Sequence, residues 1–242
     1  MIRINIKKKV GVCALGTFAS TCGYNIPKSN LNKILATLVV SMNILIMSRQ
    51  LDVFLAKRKA KSLKHAFLYR TDLNSADLTA TDLRSSILTS SKLTGVDLTA
   101  ADLTGAYLNS VDLTGADLTG ADLENSTLTG ANMSSANCTG IDLKESDLTG
   151  ANLTQVSLRG ADLTRANLRG AYLVGANLKG ANFRGANLRG ANLKDAELED
   201  ADFTAADLTA ANLKNVENED KAIWLGTILT GTGRELLQTS EE

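Results

Sequence analysis

Ala116-Asp117-Leu118-Thr119-Gly120 is one unit of a pattern that repeats every five residues from Ala66 to Val216. A bulky apolar residue occupies every position ending in 3 or 8 from Leu68 to Leu213. Of these 30 positions 26 are Leu, and Met133, Cys138, Phe183 and Phe203 fill the rest. Two residues before each stands a small residue, Ala in 20 of 30 units, and between them usually lies Asp or Asn. Five residues of α-helix turn by ~500°, about 140° net, so the leucines would spiral and form no stripe. A straight strand alternates faces with period two, and an odd repeat would send every second Leu into water. The chain must therefore turn once per unit, so that each Leu and its small partner face one interior. Gly fills many positions two after the Leu, such as Gly120 and Gly170, where a turn needs positive φ.

A short fixed period is the signature of a solenoid, whose units bury their apolar faces only against neighbours. Ala-(Asp/Asn)-Leu-x-x in 30 tandem units resembles the pentapeptide-repeat family over 150 of 242 residues. The resemblance implies an all-β solenoid: a right-handed quadrilateral parallel β-helix with four repeats per coil. The spacing alone leaves three and four sides open. Thirty repeats then give about 7.5 coils and a length of about 36 Å. A core of stacked leucines, at roughly 1.5–3 kcal/mol each, needs no metal or disulfide. Cys138 is undersized at its position and Ile141, just after it, is oversized, so the two compensate.

The expected organisation is a candidate signal or targeting segment at 1–30, then an apolar helix and basic linker at 31–65. The β-helix follows at 66–216, and a C-terminal cap and tail at 217–242. Lys7-Lys8-Lys9 precede an uncharged run to Pro27, as in a weak signal peptide. Ile44, Met47, Leu51, Phe54 and Leu55 fall at helical spacing and could cap the rod or lie on a membrane. After Val216 the pattern fails at Asn218. Trp224 and its apolar neighbours read as a cover for the open core end, or as a homodimer contact.

Net charge is zero but segregated. Residues 1–65 hold 12 basic and 1 acidic side chains, 66–150 hold 4 and 12, 151–194 hold 7 and 1, and 195–216 hold 1 and 6. Stacking at 20-residue intervals would build a ladder from Asp82, Asp102, Asp122, Asp142, Asp162 and Asn182. Each is expected to accept amides of its own turn, and cation binding is the weaker alternative. Arg169 would stack on Arg189 and Arg159 on Lys179, a basic belt suited to an acidic partner. Phe67, Ile87 and Tyr107 replace Asp/Asn in one outward column and should be covered, with the helix around Ile44–Leu55 the nearest candidate.

Catalytic residues are scarce. His65 is the only His, and no Cys/His metal spacing, phosphate loop or nucleophile elbow occurs. The sequence therefore predicts no enzyme, cofactor or metal site. It predicts a protein-binding scaffold, membrane-associated or exported through residues 1–50, and otherwise cytoplasmic. No direct nucleic-acid binding is expected. The alternative comes from the resemblance: some family members are similar to B-DNA in shape and charge and protect type II topoisomerases.

Overall fold

The computed structural model describes residues 60–233 together with Val53 and Ala56. All lie in the second of two compact units, Met1–Met47 and Ser48–Glu242. The candidate signal segment, most of the expected helix and residues 234–242 of the expected tail lie outside the described residues.

The residue before each central apolar side chain pairs in parallel with the residue 20 further on: Ser62 with Asp82, Phe67 with Ile87, Asp72 with Lys92, Asp77 with Asp97. Twenty residues are four repeats, so each coil has four sides, which the spacing had left open. The pairing continues without a gap to Glu197–Glu217.

One repeat accounts for all five of its amides. Asp102 N donates to Thr81 O of the preceding coil at 3.0 Å. Leu103 N and Gly105 N donate to Asp122 O and Glu124 O of the following coil at 2.7 and 2.9 Å. Ala106 N closes the turn on Leu103 O at 2.8 Å. The remaining amide, Thr104 N, has no backbone acceptor, and Asp102 Oδ1 takes it at 3.1 Å. Buried or half-buried amides must be paired, and a short side-chain carbonyl two residues back is the group that reaches. This is why Asp or Asn stands between the small residue and the Leu. The turn residue has φ near +60° in every repeat, Gly120 at +62° and Arg165 at +57° among them, so Gly is favoured there without being obligatory.

Inside, the Leu positions are closed to solvent from Leu63 to Leu213, as are the small-residue positions apart from the partly buried Ala76. Cys138 and Ile141 are both fully buried, as size compensation requires. Burial pushes the Cys138 thiol far up, which keeps it neutral and unreactive.

The coil begins at Ser62, one repeat before Ala66. Val53 and Ala56 are helical, and Ala56 is buried in the core with Val53 packed against it. At the other end, the break at Asn218 is an insertion within the coil. Asn218 adopts a left-handed conformation, φ 54°, ahead of a short 3-10 helix, Glu219–Lys221. Pairing then resumes one residue out of step, Asp202 with Ile223 and Asp207 with Ile228. Trp224 and Leu229 thus occupy the central positions of two further repeats, and Leu229 is fully buried.

Candidate functional site

The outward faces are where this fold can carry recognition, because its interior is filled by side chains. Asp82, Asp102, Asp122, Asp142, Asp162 and Asn182 do form one column, each bridged to the next. Every one accepts the amide two residues on, at 2.9–3.2 Å. Cations also lie between the carboxylates. Arg84 reaches Asp82 at 2.7 Å and Asp102 at 3.3 Å, and Lys144 reaches Asp142 at 2.5 Å and Asp162 at 3.2 Å. Hydrogen bonding from Arg84 holds the Asp82 carboxyl at about 2, below the usual carboxylate range. Among the described residues no cluster of His, Cys, Asp or Glu is placed to hold a metal ion.

The basic belt divides into two edges. Residues ten apart are half a coil apart, so Arg159 and Lys179 stand on one corner, and Arg169 and Arg189 on the opposite one. A single flat partner cannot meet both. The acidic coil that follows also consumes part of the charge. Lys179 pairs with Glu199, Arg184 with Asp202 at 2.9 Å and Arg189 with Asp207 at 3.0 Å. Arg165 reaches back to Glu145 at 3.5 Å. Arg159 and Arg169 have no carboxylate within ion-pair distance among the described residues. The pairings at 18 and 20 residues follow from four sides per coil, and become readable only once that number is known.

Phe67, Ile87 and Tyr107 stack in one column, as the spacing predicts. Phe67 and Ile87 are half-buried, whereas Tyr107 is 49% exposed. The corner bearing Arg169 and Arg189 borders this same face, three coils further on. Arg159 and Lys179 lie across the rod from it.

One exposed aromatic was missed by the sequence reading. Tyr172, 54% exposed, occupies the outward slot of a column otherwise formed by Asp72, Lys92, Asp112 and four Asn. In that column Asn152 Nδ2 donates to Asn132 Oδ1 at 3.0 Å, and Asn132 Nδ2 to Asp112 Oδ1 at 3.4 Å. Asn212 Nδ2 donates to Asn192 Oδ1 at 3.0 Å. Tyr172 sits between these two amide ladders and breaks them. The available signal was a lone aromatic in the Asp/Asn slot, with no apolar neighbour 20 residues away to draw notice.

Exposed apolar side chains also gather beyond the insertion: Ile223, Leu225 and Ile228, at 46–56%. Among the described residues no helix is long and apolar enough to cross a membrane.

Comparison with known proteins finds several solved structures similar to this chain. HetL of the cyanobacterium Nostoc sp. strain PCC 7120, described as involved in heterocyst differentiation regulation, is 32% identical. The match covers 70% of this chain and 85% of HetL, with a TM-score of 0.47. Rfr23 of the cyanobacterium Cyanothece 51142 is 35% identical over 47% of this chain and 63% of its own, with a TM-score of 0.29. QnrB1, a plasmid-mediated fluoroquinolone resistance protein, is 21% identical over 73% of this chain and 86% of its own, with a TM-score of 0.42. No curated protein sequence matches the chain. The family model for pentapeptide repeats matches in eight copies between residues 62 and 217, the same span over which the coils pair at 20 residues. The chain belongs to the pentapeptide repeat family.

Proposed function

We propose that the chain is a non-catalytic scaffold that binds another protein through the outward faces of a right-handed, four-sided coil. The observation that carries this reading is the state of the belt. Arg159 and Arg169 stay uncompensated at the surface while their neighbours are neutralised from the next coil. An exposed Arg without an internal partner keeps its bidentate donors available for a carboxylate on another molecule. The test is capture from an extract of the source cells by full-length protein, compared with its Arg159→Gln/Arg169→Gln variant. A partner lost with the variant is the expected result; equal capture by both overturns the reading.

Residues 1–50 are proposed to hold the scaffold at a membrane surface, since Lys7–Lys9 and two apolar runs form the N-terminus. Full-length protein should then sediment with anionic lipid vesicles. The exposed Ile223, Leu225 and Ile228 suit a second copy of the chain. Sedimentation equilibrium of wild type against Ile223→Glu/Ile228→Glu tests that contact.

The Asp82–Asp162 column favours a second reading, a DNA mimic acting on a type II topoisomerase. Against it, Arg84 and Lys144 interrupt the column, and the belt places seven cations between the acidic segments 66–150 and 195–216. A gyrase supercoiling assay with a quinolone separates the readings. Protection by the purified chain would favour the mimic.

A further inference from the structure

We propose that the corner formed by Arg169, Tyr172 and Asn192 is the docking point for a carboxylate-bearing segment of a partner protein. The inference rests on the scaffold reading above and gives it a location.

By register three side-chain donors belong to this corner, and none of them donates to another group among the described residues. The Arg169 guanidinium has no ion pair among the described residues, although its backbone amide is held by Asn167 Oδ1 at 3.3 Å. The Asn192 carbonyl is taken twice, by Lys194 N at 3.2 Å and by Asn212 Nδ2 at 3.0 Å. Elsewhere in the column each Asn Nδ2 donates to the side-chain carbonyl 20 residues before it, and for Asn192 that position, on the preceding coil, holds Tyr172. Tyr172 O–H is the third donor, on a ring that is half exposed.

Two carboxylates on the adjoining face are already engaged. Asp147 accepts Thr149 Oγ1 at 2.5 Å and Asn167 Nδ2 at 3.2 Å, and Asp207 accepts Arg189 at 3.0 Å. The corner therefore lacks an acceptor that the rod itself does not supply. Tyr and Arg are both enriched at interface hot spots, the ring giving area and the guanidinium fork binding a carboxylate in two bonds. Val174, on the next corner of the same face, extends the apolar part.

The chemistry favours an acidic polypeptide over a nucleic acid. A phosphate backbone needs a run of cations to neutralise a line of charges. Here one free Arg stands beside a segment, residues 66–150, that carries 12 acidic against 4 basic groups and repels polyanions. A short protein segment can place a carboxylate on Arg169 and clear the remainder.

The test uses the full-length chain and fluorescence anisotropy at low salt, with three labelled probes: a Glu-rich peptide, its Gln counterpart and a single-stranded DNA of similar charge. The Glu-rich peptide should bind best. Arg169→Gln and Tyr172→Ala should each weaken it by about tenfold or more, while Arg184→Gln, at a cation already paired with Asp202, should change it by less than about twofold. Both side chains point outward, so unchanged circular dichroism and melting confirm that the variants fold. Binding that ignores Tyr172→Ala, equal binding of the Gln peptide, preference for DNA, or no binding overturns the proposal. If extract capture is still lost with Arg159→Gln/Arg169→Gln while the peptide ignores Tyr172, this site alone falls. If neither responds, the scaffold reading falls with it.

Discussion

Phe203 and Trp224 stack with ring centroids 4.8 Å apart and planes 8° from parallel, and Phe183 stacks on the far side of Phe203 at 4.9 Å and 8°. The three rings form one column at the C-terminal end of the coil, where a Leu stack would leave its last member uncovered. Trp224 N–H donates to Glu219 O at 3.0 Å, which ties the ring to the inserted 3-10 helix. The insertion shifts the register, and the Trp holds the shifted repeat on the core.

Trp224→Ala should therefore destabilise the last coils by somewhat less than the ~3–5 kcal/mol of a fully buried aromatic, because the ring is half-buried. Trp224 is the only Trp, so its emission reports this end specifically. In wild type on heating, the emission should move to the red before the circular dichroism of the coil is lost, since a solenoid frays from its ends. Phe203→Leu should lower the temperature of the emission change more than that of the circular dichroism. Coincident shifts would show that the end is not an independent unit.

A second prediction concerns the register of the repeat. Leu153→Asp places an unpaired charge in a dry core and should unfold the rod, whereas Thr154→Asp, one residue on, should change stability by less than ~0.5 kcal/mol. Thr119 makes a poorer control than Thr154. Its hydroxyl donates to Asp117 Oδ1 at 2.6 Å and accepts from Asn137 at 2.9 Å. Thr119→Asp would set two carboxylates together and break that bridge. Urea titrations of the three variants give the order: Thr154→Asp most stable, Thr119→Asp next, Leu153→Asp unfolded. Equal behaviour at 153 and 154 would contradict the register.

The coil itself was legible because a period of five fits neither helix nor strand, and the Asp/Asn slot was legible because Asx side chains cap turns. Three features were not. The number of sides is a tertiary property, so the pairing of Arg189 with Asp207, and the separation of Arg159 from Arg169, could not be read from spacing. The repeat after Asn218 was hidden because one inserted residue moves Trp224 and Leu229 off the positions ending in 3 and 8. Tyr172 was overlooked because a side chain that matters for the surface leaves the core pattern intact.

Two serines in one inward column give a third, paired prediction. Ser126 and Ser146 are one coil apart and both buried at 1% exposure. Ser146 Oγ donates to Leu143 O at 2.6 Å, but Ser126 Oγ has no partner. Ser126→Ala removes a desolvated hydroxyl and should stabilise by up to ~1 kcal/mol, whereas Ser146→Ala should cost about 0.5–1.5 kcal/mol. Denaturant midpoints that move in the same direction would refute the distinction.

The final prediction is a pH dependence. In Asp112 the hydrogen bond from the Thr114 hydroxyl holds the carboxyl below its ordinary value, against the opposing effect of burial. For Asp147, Asp162, Asp202 and Asp207, burial pushes upward. It is outweighed by hydrogen bonds from Thr149, Thr164, Thr204 and Thr209, so these carboxyls too are lowered. A folded value below the unfolded one means the unfolded chain takes up protons first. The contribution is thus complete above about pH 4, the unfolded carboxylate value, and is lost as pH falls through the lower folded values. Melting temperature should be flat in this contribution from pH 5 to 7 and fall steadily below pH 4. Asp147→Asn and Asp162→Asn together should make that fall shallower, because Asn keeps the carbonyl that accepts the turn amide and has no proton to gain. A wild-type melting temperature that stayed level down to pH 2.5, or an acid slope identical in the double variant, would show that these turn carboxylates do not carry the acid sensitivity of the fold.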